Sequence, residues 1–88
     1  MSYFVYLIGS FKKNKIRTYV GYTNNLKKRL VLHNSSKGAK ATRGGKWIVL
    51  YQRKYKLKNK AMSKEYYLKK NKKMRKKIVF KFLSTNQL

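Results

Sequence analysis

The stretch YFVYLIGSFKKNKIRTYVGYT, residues 3–23, decides the fold. Residues 3–9 form a short aromatic and β-branched run, which predicts a buried strand. Residues 16–23, IRTYVGYT, repeat that character. The polar SFKKNK (10–15) between them suits a hairpin loop. A loop turning symmetrically about positions 12 and 13 would set Tyr6 opposite Tyr19 and Phe4 opposite Gly21. Two phenols would then lie side by side on one face of the hairpin.

Outward from the hairpin, TNNLKKRLVLHNSS reads as a helix, with Thr23 or Asn24 as its cap and Asn34 and the serines at its end. At helical spacing Leu26, Arg29, Leu30 and His33 share an arc of about 100°. An arginine and a histidine therefore lie one turn apart on the inward edge. SSKGAKATRGGK (35–46) has three glycines and four cations, and reads as a loop suited to close approach of phosphates. WIVLYQRKY (47–55) is a third strand. NKAMSKEYYLKK (59–70) is a second helix, with Asn59 a plausible cap. Ala61, Met62, Tyr66 and Leu68 fall on one broad arc of it, with Glu65 among them. A third, short helix is expected from about residue 72, packing Met74, Ile78 and Phe80 on the sheet, with a loose tail at 81–88.

The chain has 88 residues, enough for one domain with a small core. Hydrophobic residues make up 42 % and aromatics 15 %, which argues against general disorder. There is no cysteine and one histidine, so a disulfide framework and a zinc domain are excluded. No apolar run approaches the length of a membrane span, and MSYFVYLIG lacks a basic leader, so a cytoplasmic location is expected.

Charge is the dominant global feature. There are 25 Lys and Arg against a single acid, Glu65, giving a formal net charge of +24. A polyanion is the expected partner, nucleic acid first and acidic lipid second. The excess of lysine over arginine fits AT-rich coding, but coding bias does not remove acids. Glu65 lies on the less charged side of its helix. It pairs either with Lys69, four residues on, or with another cation or a divalent metal. Arg29 suits a phosphate and His33 a proton transfer near neutral pH, although each also fits an ordinary surface or helix-end role. Tyr6 and Tyr19 fit core aromatics. Equally, a phenol near several cations is expected to have a lowered pKa and to accept a proton from water.

Taken together, VYL (5–7), YVG (19–21), KKRLVLH (27–33) and SKEYYLKK (63–70) resemble the GIY-YIG nuclease family in order and spacing across residues 3–77. The first tripeptide departs from the family name at both flanks; the second has Val for Ile. RTYVGYTNNLKKRLVLHN and KGAKATRGGKW look most like the small stand-alone bacterial members, relatives of the catalytic domain of structure-specific endonucleases. The resemblance implies an α+β fold, a three-stranded antiparallel sheet flanked by helices in the order β-β-α-β-α-α, in a single domain over 1–80. It implies a DNA endonuclease acting on branched or single-stranded DNA, in repair or recombination. By resemblance Tyr6 is the general base or water-orienting phenol, supported by Tyr19. Arg29 binds the scissile phosphate, His33 relays a proton, and Glu65 holds one Mg2+ or Mn2+ ion. Gly21 allows close backbone approach, and Lys37, Lys40, Arg43 and Lys46 are the expected phosphate contacts. Asn71 is a loose match to a further family position. The alternative is a basic nucleic-acid-binding module without chemistry. Monomer and homodimer both stay open, with IVFKFL the apolar stretch a dimer would use.

Overall fold

A computed structural model describes residues 1–13 and 15–85. The elements run β1 (Tyr3–Lys12), β2 (Lys15–Thr23), α1 (Leu26–Asn34), β3 (Ile48–Tyr55), α2 (Lys58–Lys70) and α3 (Lys72–Thr85), with a short 3-10 turn at Lys40–Thr42. The sheet is antiparallel in the order β2-β1-β3. The α+β class and the element order are those expected.

β1 is the central strand, and Val5 to Ser10 are buried without interruption. A strand covered on both faces reads as a continuous apolar run, which is why YFVYLIG shows no alternation. Val5 and Leu7 point to one side, where Val20, Ala61 and Leu68 pack with Ile78 against them. Tyr6 and Ile8 point to the other, with Trp47 and the partly buried Tyr19, Leu26 and Leu30. The first layer is roofed by α2 and α3, the second by α1 and the loop after it. Each fully buried large side chain contributes roughly 1.5–3 kcal/mol, so β1 is the strand on which both layers rest.

The hairpin is tighter than the sequence suggested. Pairing continues to Lys12↔Lys15, so the turn lies between these two residues, with Lys13 at φ 51°. Two-residue hairpin loops need such left-handed positions to match the twist of the strands. Position 14, part of the expected loop, lies outside the described residues. Tyr6 is opposite Gly21 and Ile8 opposite Tyr19, two positions from the expected register. Side chains alternate with period two, so this shift leaves Tyr6 and Tyr19 on one face, now diagonal to each other.

Other boundaries also move. Asn25, not Thr23 or Asn24, caps α1, its Oδ1 accepting from Lys28 N at 3.1 Å. α2 starts one residue early, with Leu57 at the cap position and no side-chain cap bond, so Asn59 is inside the helix. Asn71 instead caps α3, accepting from Met74 N at 3.0 Å. α3 continues to Thr85, beyond the expected start of a tail, while residues 86–88 lie outside the described residues. Ile78 packs on the sheet as expected, but Phe80 and Met74 are exposed, and Phe82 stacks on Phe11 instead. Among the described residues no helix is long and apolar enough to cross a membrane.

β3 carries a bulge: Leu7 pairs with Tyr51 but Ile8 with Val49, so Leu50 is extra. Leu50 and Tyr51 therefore both reach the α2 layer. Gly9 makes room, since a Cβ there would stand 2.7 Å from the Leu50 side chain.

Gly21 makes room for Tyr6 in the same way. A Cβ at position 21 would stand 2.5 Å from the phenol oxygen and 2.7 Å from Cζ. Gly21→Ala is expected to cost about 1–3 kcal/mol by overpacking, read as a lower urea midpoint with an unchanged m-value.

Candidate active site

Tyr6 is fully buried, and its hydroxyl lies 2.8 Å from His33 Nε2. α1 supplies the histidine. Leu26 and Leu30 anchor the helix on the Tyr6 layer, and the same face carries Arg29 and His33 inward, as the helical arc predicted. His33 is also fully buried, and its Nδ1 lies 3.0 Å from Thr42 Oγ1. Gly38 lets the loop close over the imidazole, since a Cβ there would stand 2.5 Å from Nδ1.

The direction of this chain follows from its far end. Thr42 Oγ1 donates its one proton to the Ala39 carbonyl at 3.0 Å, so toward His33 it can only accept. His33 Nδ1 therefore carries the proton and Nε2 is bare. The Tyr6 hydroxyl donates to Nε2. The hydrogen bonds run from Tyr6 through His33 and Thr42 to Ala39, and every buried polar atom in them is satisfied. Tyr19 stands against the imidazole, ring centroids 5.0 Å apart, with Tyr6 at 5.8 Å.

The loop that brings Thr42 is held at its neck. The Asn34 side chain donates to Trp47 O at 3.0 Å and accepts from Trp47 N. The indole of Trp47 donates to Thr42 O at 2.9 Å. Asn34, expected only to end a helix, thus ties α1 to β3. Thr42 and Trp47 escaped the sequence reading: a threonine among small residues in a basic loop carries no periodic signal, and Trp47 read simply as the first residue of a strand.

Two charged groups complete the cluster. The Arg29 guanidinium acts on Tyr6 by polar contact and by charge. Its Nε is nevertheless buried without a hydrogen-bond partner, alone in that respect among the described residues. The Glu65 side chain is only 17 % exposed, and its charge is felt at the Tyr6 phenol. It also meets Lys69 Nζ at 3.6 Å, the i,i+4 pair foreseen from spacing. On α2 the covered face is Ala61, Glu65 and Leu68, whereas Met62 and Tyr66 are exposed.

Burial reverses one expectation. The Tyr6 pKa is raised, not lowered: loss of solvent is the largest cause, and the Arg29 guanidinium only partly offsets it, while Tyr19 and Glu65 add to the rise. His33 is lowered, by burial first and then by the Arg29 charge. Both groups are neutral at rest. Gly21 is buried beneath Tyr6, and its lack of a Cβ leaves room for the phenol. Lys37, Lys40, Arg43 and Lys46 are exposed on the loop, and Asn71 is occupied as a helix cap.

A metal ion here would find one carboxylate, Glu65. Among the described residues no cluster of three or more His, Cys, Asp or Glu forms an all-protein site. The donor set suits a hard ion such as Mg2+ that keeps most of its ligands as water and substrate oxygen.

A three-stranded antiparallel sheet carrying a tyrosine pair, an inward arginine and histidine on the first helix and a sheltered glutamate on the second defines a GIY-YIG catalytic domain. The GIY-YIG catalytic-domain family model matches residues 2–78, and the chain belongs to that family. Its relatives are UPF0213 proteins, small bacterial members of the family. One from Oceanobacillus iheyensis is 54 % identical over 52 residues, covering 58 % of this chain and 60 % of its own length. One from Streptococcus pneumoniae serotype 4 is 43 % identical over 70 residues, covering 78 % of this chain and 68 % of that protein. The NMR structure of a UPF0213 protein from Bacillus halodurans superposes with a TM-score of 0.50 at 33 % identity, covering 90 % of this chain and 83 % of that one. The match spans only 53–60 % of the length of the first two curated relatives.

Thr42→Val leaves the buried His33 Nδ1–H without an acceptor and is expected to cost about 1–3 kcal/mol, with Thr42→Ser close to wild type; chemical denaturation reads the difference. The lowered His33 pKa means that the unfolded chain takes up a proton first as pH falls. Its contribution to stability is full above the unfolded value of about 6.5 and is lost as pH drops through the folded one. With one acid side chain and one imidazole in the chain, little else titrates there. The urea midpoint should therefore fall from pH 7 to pH 5, and His33→Gln should flatten that slope.

Proposed function

We propose that this chain is a metal-dependent DNA endonuclease that hydrolyses phosphodiester bonds. Family membership supports nuclease chemistry. The observation that carries the assignment to these residues is the buried Arg29 Nε without an acceptor, beside a phenol already hydrogen-bonded to a neutral imidazole. A buried guanidinium N–H left without an acceptor is costly, and a phosphate oxygen is the partner its planar fork fits.

A neutral phenol cannot accept a proton unless it passes its own on. Water attacks phosphorus in line and gives a proton to the Tyr6 oxygen as the phenolic proton moves to His33 Nε2. The resulting imidazolium keeps both N–H groups hydrogen-bonded, one to Tyr6 and one to Thr42. As the new P–O bond forms, the bond to the leaving 3′ oxygen breaks. That oxygen ends as a hydroxyl with a proton from solvent, leaving a 5′-phosphate. Arg29 meets charge on the non-bridging oxygens. Substrate charge beside Arg29 also relieves the electrostatic pressure that keeps His33 unprotonated, so binding itself makes the imidazole a better base. Glu65 would hold the divalent ion, which when bound supplies Lewis acidity for the charge on the leaving oxygen. Tyr6 is closed to solvent, so the water reaches it only as Arg29 turns from phenol to phosphate.

The competing reading is a binding module without chemistry, and the Glu65–Lys69 pair is the observation on its side. Single-stranded, branched and duplex DNA incubated with Mg2+ or Mn2+ separates the two. Wild type should cut at least one substrate. Glu65→Gln should bind with unchanged or tighter affinity and cut roughly a hundred- to a thousandfold more slowly. Equal cutting by both proteins would remove Glu65 from the chemistry. Binding without any cutting by wild type would leave the module.

A further inference from the structure

Toward the hairpin tip lies an open groove of about 930 Å3. One wall is the end of β1 and the start of β2, the other is residues 43–46 of the basic loop. Six cations line it: Lys12, Lys13, Lys15, Arg17, Arg43 and Lys46. Two of these were expected to meet phosphate; Lys37 and Lys40 are outside it, and the four from the hairpin are new.

The groove has a fixed element at its base. Arg17 lies over the Trp47 ring, 5.1 Å from its centroid, and Trp47 is itself buried and pinned through Asn34 and Thr42. Gly45 permits this, since a Cβ there would stand 2.6 Å from Arg17 Nη2. Gly44, at φ 75°, has open space on its Cα, so the wall presents bare backbone to an incoming chain. A stacked guanidinium at the base with lysines on both rims is the arrangement that tracks a phosphodiester backbone. A membrane headgroup layer calls for a convex cationic face, whereas this one is concave.

We infer that this groove binds a second stretch of the nucleic-acid strand, away from the bond being cut. The inference rests on the reading of the chain as a protein that acts on DNA, but not on its cutting DNA. Ser10, at the groove, and Tyr6 lie on the same face of β1, four residues apart. At about 3.3 Å per residue this is roughly 13 Å, or about four nucleotides at 3.4 Å each. The groove therefore sets a minimum length of strand on one side of the scissile bond.

The test is binding of labelled oligonucleotides in EDTA, so that it reads the groove whether or not cleavage occurs. Lys12→Gln/Lys13→Gln/Lys15→Gln removes one wall. Arg43→Gln/Lys46→Gln removes the other. Lys73→Gln/Lys76→Gln/Lys77→Gln on α3 removes equal charge elsewhere. Thermal melts verify that each variant is folded. On duplex DNA the hairpin variant should lower the slope of log K against log salt by up to about 2.7, or 0.9 per phosphate contact, and weaken binding at least tenfold. The α3 variant should change both much less. Wild-type affinity should rise with strand length until the groove is reached, and the hairpin variant should lose that rise. Equal losses from the hairpin and α3 variants, or unchanged binding by the hairpin variant, would overturn the inference. So would loss of binding to phosphatidylserine vesicles, with DNA binding intact, in the same variant.

Discussion

A phenol fully buried in the middle of the central strand cannot keep its hydroxyl unpaired, and the rest of the molecule is arranged around that requirement. Directly opposite Tyr6 on its own hairpin, Gly21 supplies only space. The acceptor comes from α1, as His33 Nε2, and an imidazole that accepts at one nitrogen must donate at the other. Thr42 takes that donation and hands it to the Ala39 carbonyl. A single buried oxygen thus fixes the rotation of the helix, the path of the loop and the tautomer of the histidine. Each link has one direction, so the protein rests in one protonation state with a defined route for leaving it.

The charge distribution serves the same centre from the opposite direction. Twenty-five cations repel one another, and the fold offers them one side-chain carboxylate in return. That carboxylate is not spent on the surface. Glu65 sits between Ala61 and Leu68 on the covered face of α2, where solvent screens it least and its field reaches Tyr6. Arg29 contributes a positive charge from α1 on the same phenol. Burial is the main reason that phenol and imidazole stay neutral; the Glu65 charge adds to it at the phenol, and the Arg29 charge adds to it at the imidazole while opposing it at the phenol.

Much of this was legible in the sequence, and the limits of legibility were physical. Arg29 and His33 share a helical arc with Leu26 and Leu30, so periodicity alone put them inward. A continuous apolar run marked β1 as the doubly covered strand. The hairpin register did not follow, because it is set by the turn, and KKN admits several turns until Lys13 takes a left-handed backbone. The shift was by an even number, which is why the face of each tyrosine survived an error in its partner. The sign of the Tyr6 pKa change was misjudged because cations can be counted in a sequence while desolvation cannot. Thr42 and Trp47 act through loop closure, which has no period. Phe80 and Phe82 are chemically alike two positions apart on one helix, and only packing against Phe11 separates them.

The clasp between Asn34 and Trp47, together with the indole bond to Thr42, has a consequence for how this chain can vary. Both ends of the segment 43–46 are pinned, at Thr42 and at Trp47. The four residues between form a loop closed at its base, which meets the core only where Gly45 lies against the Trp47 indole. Lengthening a closed loop is entropically cheap, with each doubling costing only about 0.6 kcal/mol. Insertions there can extend or reshape the rim of the molecule while the inner network stays as it is. By contrast, the segment from Ser35 to Ala41 must deliver a hydroxyl to one atom of one ring, and there descent with modification has little freedom in length.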